Sequence, residues 1–255
     1  MYLQQLPYEP VNDSDVAALR KSGKIAAIIL REMVEYVKPG ISTAQLDRFA
    51  GKLMQLHRVK SAPLMEGFPG NTCLSVNEVI AHGVPTTRKL CVNDRINIDV
   101  SIEYNGYFGD VACTVILGAN GHLSSPLLEC AQKATMDALL MSKAGTAFNE
   151  IGRMIEDLAK SRGFSIIRNL CSHGVGKTLH AHPSNILNYY DPEEKLVLEN
   201  GMVIAWEPFV SAGACRAIEM DGEWNLTTHN KSHVAQFEHT VLVTGDRPEI
   251  LTLLD

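Results

Sequence analysis

The stretch from Arg95 to Asp110 constrains the fold of this chain more than any other. Ile96, Ile98, Val100 and Ile102 alternate with Asn97, Asp99, Ser101 and Glu103, the period-2 pattern of a half-buried strand. Asn105-Gly106 between Tyr104 and Tyr107 then predicts a two-residue hairpin, because a type I′ turn needs positive φ at both central positions. If Tyr104 pairs with Tyr107, Ser101 faces Asp110 and Asp99 faces Ala112. Asp99 and Asp110 then share one face as diagonal neighbours, roughly 7–8 Å apart at the backbone. Two short carboxylates aimed at one point from that separation suit a shared metal better than a shared proton. Alternation with Asp on the polar face is also what a solvated edge hairpin shows, so a metal site requires further ligands elsewhere in the chain.

At 255 residues the chain can bury a sizeable core without disulfides or a structural metal. The six cysteines, Cys73, Cys91, Cys113, Cys130, Cys171 and Cys215, are scattered with no Cys-x-x-Cys pair, which argues against both a disulfide framework and a zinc-thiolate site. Reduced thiols fit. A net charge of −6, with no basic run longer than Arg88-Lys89, speaks against a DNA-binding or anionic-membrane footprint. No apolar run approaches the ~18 residues of a membrane span, and the start from Met1 to Pro7 lacks the features of a signal peptide. The expected location is the cytoplasm. With no Ser/Gly/Pro-rich linker, residues 1–255 read as one domain.

Along the chain, Asn12 to Asp15 supply caps for a helix from Val16 to Val37, which Pro39-Gly40 ends. Ser42 or Thr43 caps a second helix from Ala44 to about Leu56. Pro63 to Pro69 reads as loop and Cys73 to Val76 as a short strand. Pro126 opens a long helix through Leu140, and another follows from Phe148 to Arg162. Cys171 to Gly176 leads into a loop with His180, His182 and Pro183. The stretches Met202 to Pro208 and Ala235 to Val243 read as strands.

A repeat runs through this order. Lys38-Pro-Gly40, with Leu46 six residues after its Gly, is echoed by Lys143-Ala-Gly145 with Ile151. His82-Gly-Val84 recurs as His173-Gly-Val175. Leu90 precedes Asp99 by nine positions and Leu198 precedes Glu207 by the same nine. Two related halves, approximately 12–120 and 121–250, are expected around a pseudo-two-fold axis, with Glu207 in the place of Asp99. Five ligand candidates result: Asp99 and Asp110 from one half, His173, Glu207 and Glu238 from the other. Four carboxylates gathered without a cation would repel one another and protonate. Two divalent cations resolve the conflict, and one imidazole among oxygen ligands suits manganese, iron, cobalt or zinc.

These motifs together, Asn77 to Pro85 around His82, Asn97-Ile-Asp99-Val, Gly109-Asp110, Ser172-His173-Gly-Val-Gly176, Glu207-Pro208 and Ala235-Gln-Phe-Glu238-His239-Thr240, resemble the type I methionine aminopeptidases of the bacterial kind over essentially the whole length. The resemblance implies the α+β pita-bread fold, two αβ halves sharing a curved antiparallel sheet. It also implies a dinuclear metal centre on Asp99, Asp110, His173, Glu207 and Glu238, with Asp110 and Glu238 bridging. The implied activity is removal of the N-terminal methionine from peptides and nascent chains, with small second residues preferred. Glu207 would take the proton from the attacking water, His180 would contact the scissile amide and stabilise the oxyanion, and His82 would meet the substrate's amide nitrogen. Met65 and Phe68 stand at two tyrosine-like positions of the side-chain pocket, Cys73 and Trp224 match pocket positions, and Leu179 replaces an aromatic. A hydroxyl usual two positions before the catalytic Glu is missing, since this chain has Ala205 followed by Trp206. Two other readings compete: a peptide-binding module without turnover, and a paralogous aminopeptidase of altered range. A monomer in transient contact with the ribosome completes the expectation.

Overall fold

In a computed structural model of the protein, residues 11–220 and 224–254 are described; the start from Met1 to Pro7 lies outside them. Helix α1 (Asp13–Tyr36) starts at Asn12, whose side chain accepts from the backbone of Ser14 and Asp15 at 3.0 Å each, while Asp15 reaches back to Asn12. Helix α2 (Thr43–His57) uses the same reciprocal device with Ser42 and Gln45. Strand β1 (Lys60–Ser61) leads into a one-turn helix α3 (Ala62–Met65), where a loop was expected. The turn winds because the Ser61 hydroxyl caps Leu64 N at 3.1 Å and Pro63 sits at its start, where no N–H is required.

Strand β2 (Cys73–Val76) borders the hairpin of β3 (Arg95–Tyr104) and β4 (Tyr107–Gly118). Its register is the expected one: Tyr104 opposite Tyr107, Ser101 opposite Asp110, Asp99 opposite Ala112. Asn105 and Gly106 take φ of 51° and 86° at the turn. Strand β5 (Gly121–Leu123) folds back on β4, and helices α4 (Pro126–Met141) and α5 (Phe148–Ser161) follow, each within a residue or two of its expected span.

The second half contributes β6 (Ser165–Ile166), β7 (Ser172–Gly174), β8 (Ala181–Ile186), β9 (Val203–Trp206), β10 (Phe209–Ser211), β11 (Ile218–Glu219), β12 (Leu226–Thr227), β13 (Val234–Gln236), β14 (Glu238–Leu242) and β15 (Glu249–Ile250). His182 and Pro183, expected in a loop, belong to β8, which pairs with β7. The two long strands expected here are each broken. Glu207-Pro208 interrupts one between β9 and β10, where Pro208 can donate no ladder hydrogen bond. Phe237 interrupts the other between β13 and β14. β10 and β13 pair with each other in a small second sheet, while β9 and β14 pair in the main one, so both chains change sheet at the same place. Glu207 and Glu238 stand at these two breaks.

The main sheet is antiparallel and runs β1-β3-β4-β14-β9-β7-β8. Local bonds recur at the repeated positions: Gly40 N donates to Leu90 O and Gly145 N to Leu198 O, both at 2.7 Å, while Leu90 N donates to Ile41 O and Leu198 N to Thr146 O, both at 2.8 Å. Each helix pair covers its own core. Ile25, Ile29, Met33, Leu46 and Leu53 pack on Ile96, Ile98 and Ile102; Leu139, Ile151 and Ile155 pack on Ile204, Trp206 and Val241. Fully burying a side chain such as Leu46 contributes about 1.5–3 kcal/mol.

Candidate metal centre

Two rows of side chains cross the middle of the sheet on one face. Asp99 pairs with Ala112 and Ala112 with Glu238, and Glu207 follows Trp206, the partner of His239, at the end of β9. In the next row Ser101 pairs with Asp110, Thr240 with Ala205, and Ala205 with His173. Thr240 Oγ1 joins the two pairs by donating to Asp110 O at 2.8 Å. Ala112 and Ala205, both almost fully buried, keep the floor low, so the acidic chains around them converge over open space. That space is a cavity of about 240 Å³ into which Asp99, Asp110, His173, Glu207 and Glu238 all reach.

Ligating atoms of Asp110, His173 and Glu238 lie within 4.8 Å of one another. His173 Nε2 is 3.7 Å from Asp110 Oδ2 and 3.5 Å from Glu207 Oε1. Its Nδ1 lies 3.0 Å from Gly174 O, a contact that fixes the proton on Nδ1 and leaves the Nε2 lone pair facing the carboxylates. Burial lowers its pKa and keeps the ring neutral. The carboxyls are forced the other way. Burial first, then mutual repulsion, lifts Asp99, Glu207 and Glu238 well above their ordinary range. Asp110 is pushed up to about 6 by burial, against the pull of the Ser101 hydroxyl.

Supporting bonds hold these groups in place. Ser101 Oγ donates to Asp110 Oδ1 at 2.7 Å. Gln236 Nε2 donates to Glu238 Oε2 at 3.1 Å and reaches Glu207 Oε2 at 3.4 Å. Asn97 Nδ2 donates to Gln236 Oε1 at 2.6 Å, and Thr114 Oγ1 both donates to Gln236 O and accepts from its N–H. Glu207 N donates to the buried Ser172 hydroxyl, which donates to Asn188. The other Glu238 oxygen, Oε1, is buried and has no hydrogen-bond partner among the described residues. A buried carboxylate oxygen left so is costly. Together with a lone pair on His173 and three further carboxylates, and with no Lys or Arg lining the cavity among the described residues, it fits a site for divalent cations.

His82 and His180 stand at the mouth. His180 stacks obliquely on His173, with ring centroids 4.6 Å apart. His82 holds a left-handed backbone conformation, φ 51°, and the surrounding wall together with His180 lowers its pKa. Phe68, Cys73, Leu179 and Trp224 line the apolar side, with Phe68 set edge-on to Trp224 at 5.5 Å. Met65, expected beside them, is 53% exposed and does not line the cavity. In the single turn of α3, Ala62 and Pro63 take the buried side, which leaves Leu64 and Met65 outward; Glu66 and Pro63 line the cavity instead. His57, His122, His182, His229, His233 and His239 stay out of it. His239 points to Thr252, which binds its Nδ1 at 2.9 Å, and burial pushes its pKa down to about 4.

Sequence reasoning passed over Ser101, Asn97, Thr114, Gln236 and Glu66. A signal existed for two of them: the hairpin register puts Ser101 directly opposite Asp110, and Gln236 lies two residues before Glu238. Trp206 carries no part of the site. It is fully buried in the second core, where its Nε1 donates to Ser142 Oγ at 2.8 Å.

The model of metallopeptidase family M24 matches residues 17–245. The chain is 42% identical over 245 residues to methionine aminopeptidase 2 of Bacillus subtilis, covering 95% of this chain and 98% of that protein. The crystal structure of methionine aminopeptidase from Rickettsia prowazekii superposes with a TM-score of 0.91 at 32% identity, covering 97% of this chain and 100% of that one. The structure of the Thermotoga maritima methionine aminopeptidase gives the same TM-score and coverage at 33% identity.

Proposed function

The chain belongs to metallopeptidase family M24, among its type I methionine aminopeptidases with the pita-bread fold, and on that premise we propose how its residues divide the work of removing an N-terminal methionine. Asp99, Asp110, His173, Glu207 and Glu238 would hold two divalent cations. The single observation that carries this is the buried, unpartnered Glu238 Oε1 amid three further carboxylates. When bound, such ions supply a water nucleophile near neutral pH and polarise the attacked carbonyl. Manganese, iron, cobalt and zinc all suit the donor set.

Glu207 accepts the proton from the attacking water and passes it to the leaving amine. Its place at the end of β9 supports this, since the backbone there is pinned by Ser172 and the carboxylate by Gln236. His180, beside His173 at the mouth, donates to the developing oxyanion, and His82 donates to the substrate amide. The apolar wall of Phe68, Cys73, Leu179 and Trp224 takes the methionine side chain. Residues 1–255 act as one catalytic domain of two related halves, each contributing to the cation cluster.

Protein loaded with manganese, iron, cobalt or zinc is expected to cleave Met-Ala-Ser and to leave its N-acetylated form intact. Failure of every one of these metals to support cleavage of the free-amine peptide overturns this reading.

A further inference from the structure

Among the described residues five carboxylates line the cavity, and four of them form the inner cluster proposed to hold cations. The fifth is Glu66. Two divalent cations balance the inner four, so Glu66 leaves the mouth with a charge of its own. Its Oε1 lies 3.7 Å from His180 Nδ1, and the side chain is 47% exposed. Among the described residues no Lys or Arg pairs with it, and none lines the cavity. The backbone beneath is fixed. Glu66 N closes the α3 turn on Ala62 O at 3.2 Å, and Ser61 ties that turn to Asn71 O at 2.8 Å.

We propose that Glu66 is a specificity-determining residue that favours substrates carrying a cationic side chain just downstream of the cleaved bond. The inference rests on the aminopeptidase reading above, in which His180 stands at the scissile bond and the apolar wall takes the methionine side chain. An extended residue spans ~3.3–3.6 Å, so a half-exposed carboxylate 3.7 Å from His180 is within reach of the first residues released. A lysine or arginine there finds a carboxylate with no Lys or Arg partner among the described residues, whereas an aspartate or glutamate meets like charge.

The test compares kcat/KM for Met-Ala-Lys and Met-Ala-Glu, both amidated at the carboxyl end, in wild type, Glu66→Gln and Glu66→Lys. Taking the ratio within each variant cancels any general loss of activity. Partly exposed charge pairs contribute enough for a ratio of about 2- to 5-fold in favour of Lys in the wild type. The ratio should fall towards unity in Glu66→Gln, invert in Glu66→Lys, and shrink in the wild type as salt is raised to about 1 M. Cleavage of both peptides with the same ratio in wild type and Glu66→Gln overturns the assignment of Glu66 and leaves the aminopeptidase reading standing. If neither peptide nor Met-Ala-Ser is cleaved by the wild type, both fall together.

Discussion

Glu207 is held from both ends, by Ser172 at its backbone and by Gln236 at its carboxylate, and the two supports make separable predictions. Glu207→Gln keeps an oxygen ligand but no proton acceptor. It should retain bound metal, measured by elemental analysis after desalting, while kcat falls about 10²–10⁴-fold. Ser101→Ala tests the opposite case. It deletes the donor to Asp110 Oδ1 without touching a ligand, so metal affinity measured by calorimetry should fall about 10–100-fold. An unchanged affinity would show that the hydroxyl does not orient Asp110. That Asp99, Asp110, His173, Glu207 and Glu238 meet in one cavity was legible in the sequence because each sits in a short motif with fixed neighbours. Asn97 and Thr114 were not, since Asn and Thr are common on any polar strand face and only the assembled sheet shows that they touch Gln236.

The hairpin of β3 and β4 was legible down to its register, because period-2 alternation and the Asn105-Gly106 turn are both local. The breaks at Glu207-Pro208 and Phe237 were not. They exist because β10 and β13 pair with each other outside the main sheet, a long-range choice with no local mark at Phe237. Close packing of α1 on the hairpin is likewise invisible in the sequence. A Cβ on Gly109 would lie 2.7 Å from the backbone carbon of Ser22, whose hydroxyl donates to Phe108 O at 3.0 Å. Gly109→Ala should therefore destabilise by about 1–3 kcal/mol in denaturant unfolding, as overpacking does. Because Asp110 is the next residue, it should weaken metal binding too. Ser61→Ala removes the cap of α3 and should cost about 1 kcal/mol. A wild-type midpoint for either variant contradicts the packing described.

Across the whole molecule, acidic side chains from the early strands and the late strands meet in one cluster, where protons would compete with a bound cation. The carboxyls of Asp99, Glu207 and Glu238 stay protonated to well above their ordinary range, and that of Asp110 to about 6, whereas an unfolded Asp loses its proton near 3.8. The metal-free fold therefore holds extra protons above about pH 4; the contribution of Asp110 to its stability is lost as pH rises through about 6, and those of Asp99, Glu207 and Glu238 as pH rises through their own raised values. A bound cation replaces those protons, so its stabilising effect grows over the same range. The increase in Tm on adding manganese should be small at about pH 5 and larger at about pH 7.5; equal increases at both contradict the ligand assignment. The most direct test is anomalous diffraction from crystals loaded with manganese or cobalt. Two strong peaks are predicted within the cavity, contacted by Asp99, Asp110, His173, Glu207 and Glu238, with Asp110 and Glu238 touching both. Peaks elsewhere, or none in that cavity at saturating metal, would contradict the account.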